Sequence, residues 1–162
     1  MTGPPLTISE HVERSRYHKR VGDALHSSGP DSWGAVCYFY SAFHLVRAAL
    51  TRDPIFSDLS QLKKAHPGLI PDDRGATAHQ ARRGSERRFG VNDLVRILHP
   101  DIFPAYYRLH GASVGVRYEK GISSDLDGFL EDLEDIEEHF ATSDACERLE
   151  DLRELLQARA EK

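Results

Sequence analysis

Cysteine is scarce: the 162 residues hold two, Cys37 and Cys146. Both fall where the sequence pattern predicts helix, and no metal-type spacing relates them. A disulfide scaffold and a cysteine-ligated metal site are therefore not expected, and the two read as small buried apolar residues of a reducing compartment. Long apolar runs are lacking too. No segment approaches the ~20 consecutive apolar residues of a membrane span. The opening MTGPPLTIS has neither an apolar core nor a basic start, so no signal peptide and no membrane association are expected, and the expected location is cytoplasmic. There is no Gly-rich phosphate loop, no nucleophile elbow and no HExxH, which leaves nucleotide hydrolysis, acyl transfer and zinc proteolysis without support. No cofactor and no metal is expected.

Proline is missing where it would matter most, from residues 31–51, DSWGAVCYFYSAFHLVRAALT. Asp31 is placed to cap a helix there. Trp33, Val36, Phe39, Phe43, Val46 and Leu50 with their neighbours put apolar side chains on nearly every side of it, and a helix that is apolar all round has to be enclosed by others. At about 1.5 Å per residue it would be about 30 Å long, enough to be the spine of a bundle. Tyr40, His44 and Arg47 make a single polar line along it.

Ahead of this helix, Thr7 and Glu10 form a T-x-x-E capping box that opens a helix to about Leu25. Its expected buried side carries Ile8, Val12, Tyr17, Val21 and Leu25. Its outer side carries Arg14, Arg16, Lys19 and Arg20. HSSGP stops it, and the short connection predicts two antiparallel neighbours. Residues 52–76 hold turn signals and one short helix at 58–65; ATAHQARRGSERRFG then predicts a basic helix with Arg82, Arg83, Arg87 and Arg88. Asn92 is expected to cap a short helix to Leu98, and Pro104 to open a long one ending near Gly121. On that helix Leu109, Ala112 and Val116 form the apolar face, and Gly111 and Gly115 predict a close approach to another helix. His110, Ser113 and Arg117 form a second polar line.

The last forty residues differ in kind. Leu126, Phe129, Leu133, Ile136 and Phe140, then Leu149, Leu152, Leu155 and Leu156, step by threes and fours, predicting two amphipathic helices around a TSD break. Two parts follow: a helical bundle over 1–121 and an acidic amphipathic helical hairpin over 122–162. The hairpin folds back on the body or meets a second copy or a protein partner. Charge divides along the same line. Residues 1–120 hold 17 Lys and Arg against 12 Asp and Glu, a net +5, and residues 121–162 hold 4 against 14, a net −10. Such asymmetry suggests a phosphate-bearing partner or an intramolecular shield, and is equally compatible with solvated helix faces.

Each candidate side chain has a functional and a plainer reading. His44 is a base or phosphate ligand, or a core histidine satisfied by one hydrogen bond. His110 and Arg117 open to water, a partner or a ligand. The four arginines of 82–88 suit bidentate phosphate contacts, or pair with the acidic hairpin. Tyr40, Arg47 and Tyr118 could add stacking and charge at a nucleic-acid surface, Tyr118 reading more simply as packing.

The order of elements resembles the HEPN superfamily, in particular small stand-alone members with a Phe-Tyr-x-Ala-x-His core helix. A long helix with Phe39-Tyr40-Ser41-Ala42-Phe43-His44 is followed by an irregular segment containing His79, then by a helix with Tyr106-x-x-Leu109 and Arg117-Tyr118. The likeness covers roughly residues 10–120. It implies an all-α fold, a HEPN-like helical bundle to which the acidic hairpin is added, and usually a homodimer. Many members are metal-independent RNases of defence or toxin–antitoxin systems, with an Arg-x4-6-His motif from both subunits binding the scissile phosphate and moving the proton of the ribose 2′-hydroxyl. Here the order in the last core helix is reversed, His110 before Arg117, with Ser113 near where an arginine would stand. The literal Arg-x4-His is Arg74 to His79. Two function classes follow: an endoribonuclease using His110, Arg117, Arg74, His79 and His44, or a catalytically inactive HEPN-like module that binds RNA, a nucleotide or a protein partner or serves assembly.

Overall fold

The structure, a computed structural model, describes residues 4, 6–29, 31–52, 91–118, 125–142 and 154. Among them are five helices and no strand: α1 (Ile8–Ser27), α2 (Trp33–Thr51), α3 (Val91–Leu98), α4 (Phe103–Tyr118) and α5 (Leu126–Thr142). The chain is all-α. No helix among the described residues is long and apolar enough to cross a membrane. The expected basic helix with Arg82, Arg83, Arg87 and Arg88, the pair Arg74 and His79, and the second helix of the hairpin lie outside the described residues.

Two compact units divide the chain, one of Met1–Ala49 with Pro104–Asp144, the other of Leu50–Phe103 with Ala145–Lys162. In the first, α1 opens as its sequence predicts. The Thr7 backbone N–H donates to Glu10 Oε2 (2.7 Å) and the Glu10 N–H donates to Thr7 Oγ1 (3.2 Å), completing the capping box. Asp31 Oδ1 accepts from the Trp33 N–H (3.0 Å) at the start of α2. The two helices run antiparallel: His11 meets His44, Ser15 meets Ser41, and Gly22 lies under the Tyr38 ring.

The core of this unit is built on α2. Tyr38, Phe39, Ala42 and Val46 are fully buried, with Tyr106 and Leu109 of α4 and Leu133 and Ile136 of α5. Phe39 packs against Tyr106, ring centroids 5.7 Å apart. The acidic α5 folds back on the body. Leu126 reaches Gly34, whose added Cβ would stand 3.2 Å from a Leu126 methyl. Polar ties also fix it: Lys19 to Glu137 (2.6 Å), His26 Nε2 to Asp127 (3.0 Å), and the Arg108 fork on Asp132.

Several expected orientations differ. On α1 the buried residues are His11, Ser15 and Gly22, not the apolar set; Tyr17 is 56% exposed and Ile8 is exposed too. The small and polar positions of α1 are those that fit under the large rings of α2. Trp33, at the very start of α2, is also exposed, because the enclosed part of the rod begins one residue later. Gly111 is exposed with nothing near it, so no close approach is made there.

In the second unit α3 presents Val91, Leu94, Val95 and Leu98, all buried, at the three- and four-residue steps of one helix face. The helix already includes Val91, so Asn92 lies inside its first turn and is buried rather than capping it.

Candidate functional site

The polar line of α2 does not face water. Tyr40 is half-buried, and His44 and Arg47 are buried. Opposite them α1 supplies His11, Ser15 and His18 at helical steps of four and three. Nδ1 of His11 and Nδ1 of His44 are 2.9 Å apart. One ring donates and the other presents a bare nitrogen, so the accepting imidazole is neutral with its proton on Nε2. Ser15 and Ser41 hydroxyls meet at 3.0 Å. The His18 ring stacks on His44 at 5.5 Å and 9°, and its centroid is 5.6 Å from that of Tyr40.

Burial sets the charge of this cluster. It lowers His11 to about 4, helped by the charges of Arg47 and Arg14 and opposed by Glu10. It lowers His44 to about 3, helped by His11, His18, Arg14 and Arg47. His18 is lowered by burial and Arg14, and burial also draws the Arg47 guanidinium below its ordinary value. The imidazoles of His11 and His44 are thus neutral at pH 7, in a surrounding of positive sign.

The polar line of α4 closes on itself and then reaches across. Arg117 Nε donates to the Ser113 carbonyl (2.9 Å), its Nη2 donates to Ser113 Oγ (3.0 Å), and its Nη1 donates to the Tyr40 hydroxyl (3.4 Å). The same guanidinium lies over the Tyr40 ring at 5.9 Å and over the Tyr118 ring at 5.4 Å. His110, about two turns toward the start of α4, is buried against Phe39 at 5.1 Å, and burial followed by the charge of Arg117 lowers its basicity. Beneath the site the Tyr106 hydroxyl is fully enclosed with no hydrogen-bond partner among the described residues.

Tyr40, His44, His110 and Arg117 therefore belong to one neighbourhood of α1, α2 and α4, joined at the Tyr40–Arg117 contact. Chemically it offers a half-buried guanidinium already oriented by two of its nitrogens, a phenol, and neutral imidazoles behind them. Sequence reasoning passed over His11, Ser15 and His18. The signal was present as a four- and three-residue line of small and polar side chains on α1, ending at Gly22, but it was masked by the apolar residues beside it. Among the described residues no group of three or more His, Cys, Asp or Glu side chains is placed to hold a metal ion. Comparison with protein-family models, with curated proteins and with solved structures gives no match for this chain.

Proposed function

We propose that this chain is a HEPN-like RNA-associated protein, acting as a homodimer, whose Arg117 holds the phosphate of an RNA strand. What carries the proposal is the state of Arg117: half-buried, pinned by Ser113 through two nitrogens and turned toward Tyr40 across the helix interface. An arginine held in one geometry presents its remaining N–H groups, one on Nη1 and one on Nη2, to a phosphate at little further entropic cost.

The reaction class that fits is metal-independent endoribonucleolysis, of the kind used in defence and toxin–antitoxin systems. The ribose 2′-oxygen attacks the neighbouring phosphorus, the bond to the 5′-oxygen breaks, and a 2′,3′-cyclic phosphate and a free 5′-hydroxyl result. A base takes the 2′-hydroxyl proton and an acid returns one to the leaving oxygen. His110 is the nearest imidazole along the Arg117 line, and its lowered basicity keeps it in the form that accepts a proton. Arg117 stabilises the charge that grows on the phosphate.

A second reading rests on a separate observation. His110 is 5% exposed, its ring against Phe39, and a base so enclosed does not reach a ribose without movement. The protein is then a catalytically inactive module that binds RNA, or a protein partner through its acidic C-terminal region. Incubation of the wild type and Arg117→Ala with total tRNA and a mixed RNA pool, without divalent metal and with end-group analysis, separates the two. Cleavage leaving cyclic ends in the wild type, reduced about 100-fold or more in the variant, supports the nuclease. RNA retained but uncut by both supports the RNA-binding module, and RNA neither bound nor cut overturns the nuclease and the RNA-binding module, leaving the protein-partner form.

A further inference from the structure

A chain of contacts on the surface of the first unit extends from Arg117 beyond the groups which that chemistry uses. Tyr17 meets His18 edge to face at 5.6 Å, His18 meets Tyr40 at 5.6 Å, and Arg117 lies over both Tyr40 and Tyr118. Five planar groups from α1, α2 and α4 thus form a continuous ladder. Its middle is half-buried and its two ends are open: Tyr17 is 56% exposed and Tyr118 is 77% exposed. Both end rings therefore keep a face accessible to a ligand.

The charge beside the ladder is net positive. Arg14, Arg16 and Arg20 are exposed on the same helix as Tyr17, and none of them forms an ion pair among the described residues. With Tyr17 they line an open hollow of about 500 Å³, which also contains Glu10 and Glu13. The Glu10 carboxylate is engaged by the Thr7 cap. Exposed aromatic faces interleaved with guanidinium groups are the combination that grips unpaired nucleotides: rings stack bases, and cations follow the backbone. A duplex, whose bases are already stacked, would engage only the arginines.

We infer that the Tyr17–His18–Tyr40–Arg117–Tyr118 ladder is a stacking platform for single-stranded RNA, with bases seated at the Tyr17 and Tyr118 ends and phosphates drawn by the α1 arginines. This rests on the RNA reading above and narrows it to unpaired strands held with little sequence preference, because every base has a face to stack.

The test uses the full chain and a labelled 12-nucleotide RNA, as single strand and as duplex with its complement, titrated by fluorescence anisotropy at fixed salt. The wild type should bind the single strand at least tenfold more tightly than the duplex. Tyr17→Ala and Tyr118→Ala should each weaken single-strand binding about tenfold, while Tyr17→Phe and Tyr118→Phe stay within about twofold of wild type. Both rings are exposed, so thermal melts of the variants should match the wild type and exclude misfolding as the cause. Equal binding of single strand and duplex, or alanine variants that bind as the wild type does, would overturn the platform and leave the RNA reading standing. Absence of any RNA binding would overturn both.

Discussion

A Cβ placed on Gly22 would stand 2.6 Å from Cε1 of Tyr38. That ring is fully buried, and its hydroxyl donates to Asp23 Oδ1 (3.0 Å) and lies 3.2 Å from His26 Nδ1. Replacing a helical glycine by alanine ordinarily gains up to ~1 kcal/mol. Here the ring has nowhere to go, and overpacking should dominate: Gly22→Ala is expected to lose about 1–3 kcal/mol in chemical denaturation. A variant as stable as the wild type would mean that Tyr38 yields freely. The same helix interface holds the His11–His44 pair. An unfolded histidine takes its proton near pH 6.5, whereas His11 and His44 do so in the folded chain only at about 4 and about 3. Between those values the unfolded state binds more protons, so stability is full above pH 6.5 and falls as the pH drops through the window below it. Each imidazole kept neutral contributes a slope of about 1.4 kcal/mol per pH unit. Urea unfolding at pH 7.5, 6.5 and 5.5 should show this loss. His44→Asn should be less stable throughout but flatter with pH; an unchanged slope would show that the pair does not govern the acid response.

At the scale of elements, one of the ion pairs that fasten α5 is asymmetric. Arg108 is 58% exposed at its side chain, while the side chain of Asp132 is 9% exposed. Removing the carboxylate releases Arg108 to water, whereas removing the arginine leaves a carboxylate enclosed without its partner. Asp132→Asn should therefore cost under about 1 kcal/mol, and Arg108→Met more, about 2 kcal/mol. Equal losses in thermal unfolding would contradict the burial argument. That α5 exists, and that Leu126, Leu133 and Ile136 form its inner face, was legible in the three- and four-residue steps. So were the capping box of α1, the antiparallel pairing through a short connection, and the polar lines of α2 and α4. What stayed illegible was the rotation of α1. Reading its apolar residues inward put Tyr17 in the core, yet His11, Ser15 and Gly22 are buried instead. Hydrogen bonds from His11 to His44 and from Ser15 to Ser41, together with the room Gly22 makes for Tyr38, depend on what the facing helix presents. The periodicity of one helix does not contain that information. The same limit applies to the site: spacing places Arg117 on a line with Ser113 and His110, but only packing brings it to Tyr40.

Across the whole molecule the acidic C-terminal part and the basic body remain the strongest contrast, −10 over residues 121–162 against +5 before them. In the first unit α5 takes up Lys19 and Arg108 from that body and leaves Arg14, Arg16 and Arg20 exposed beside Tyr17. Any effect of its negative charge on the ladder would therefore run through distance rather than contact. Deleting the acidic part would not isolate this effect, because Leu126, Leu133 and Ile136 belong to the core. Charge can be removed without the leucines. Glu131, Glu134, Asp135 and Glu138 are exposed, and converting them to Gln, Gln, Asn and Gln raises the net charge by four while keeping the buried face. If α5 restrains an RNA backbone electrostatically, the quadruple variant should bind single-stranded RNA several-fold more tightly at low salt. The advantage should shrink as salt rises and screens the charges. The slope of log affinity against log salt should therefore be steeper in the variant than in the wild type, by about one for each further arginine or lysine that reaches phosphate. An affinity equal to the wild type at low salt, with a melting temperature also unchanged, would show that the acidic helix is a packed and solvated element that does not act on the basic face.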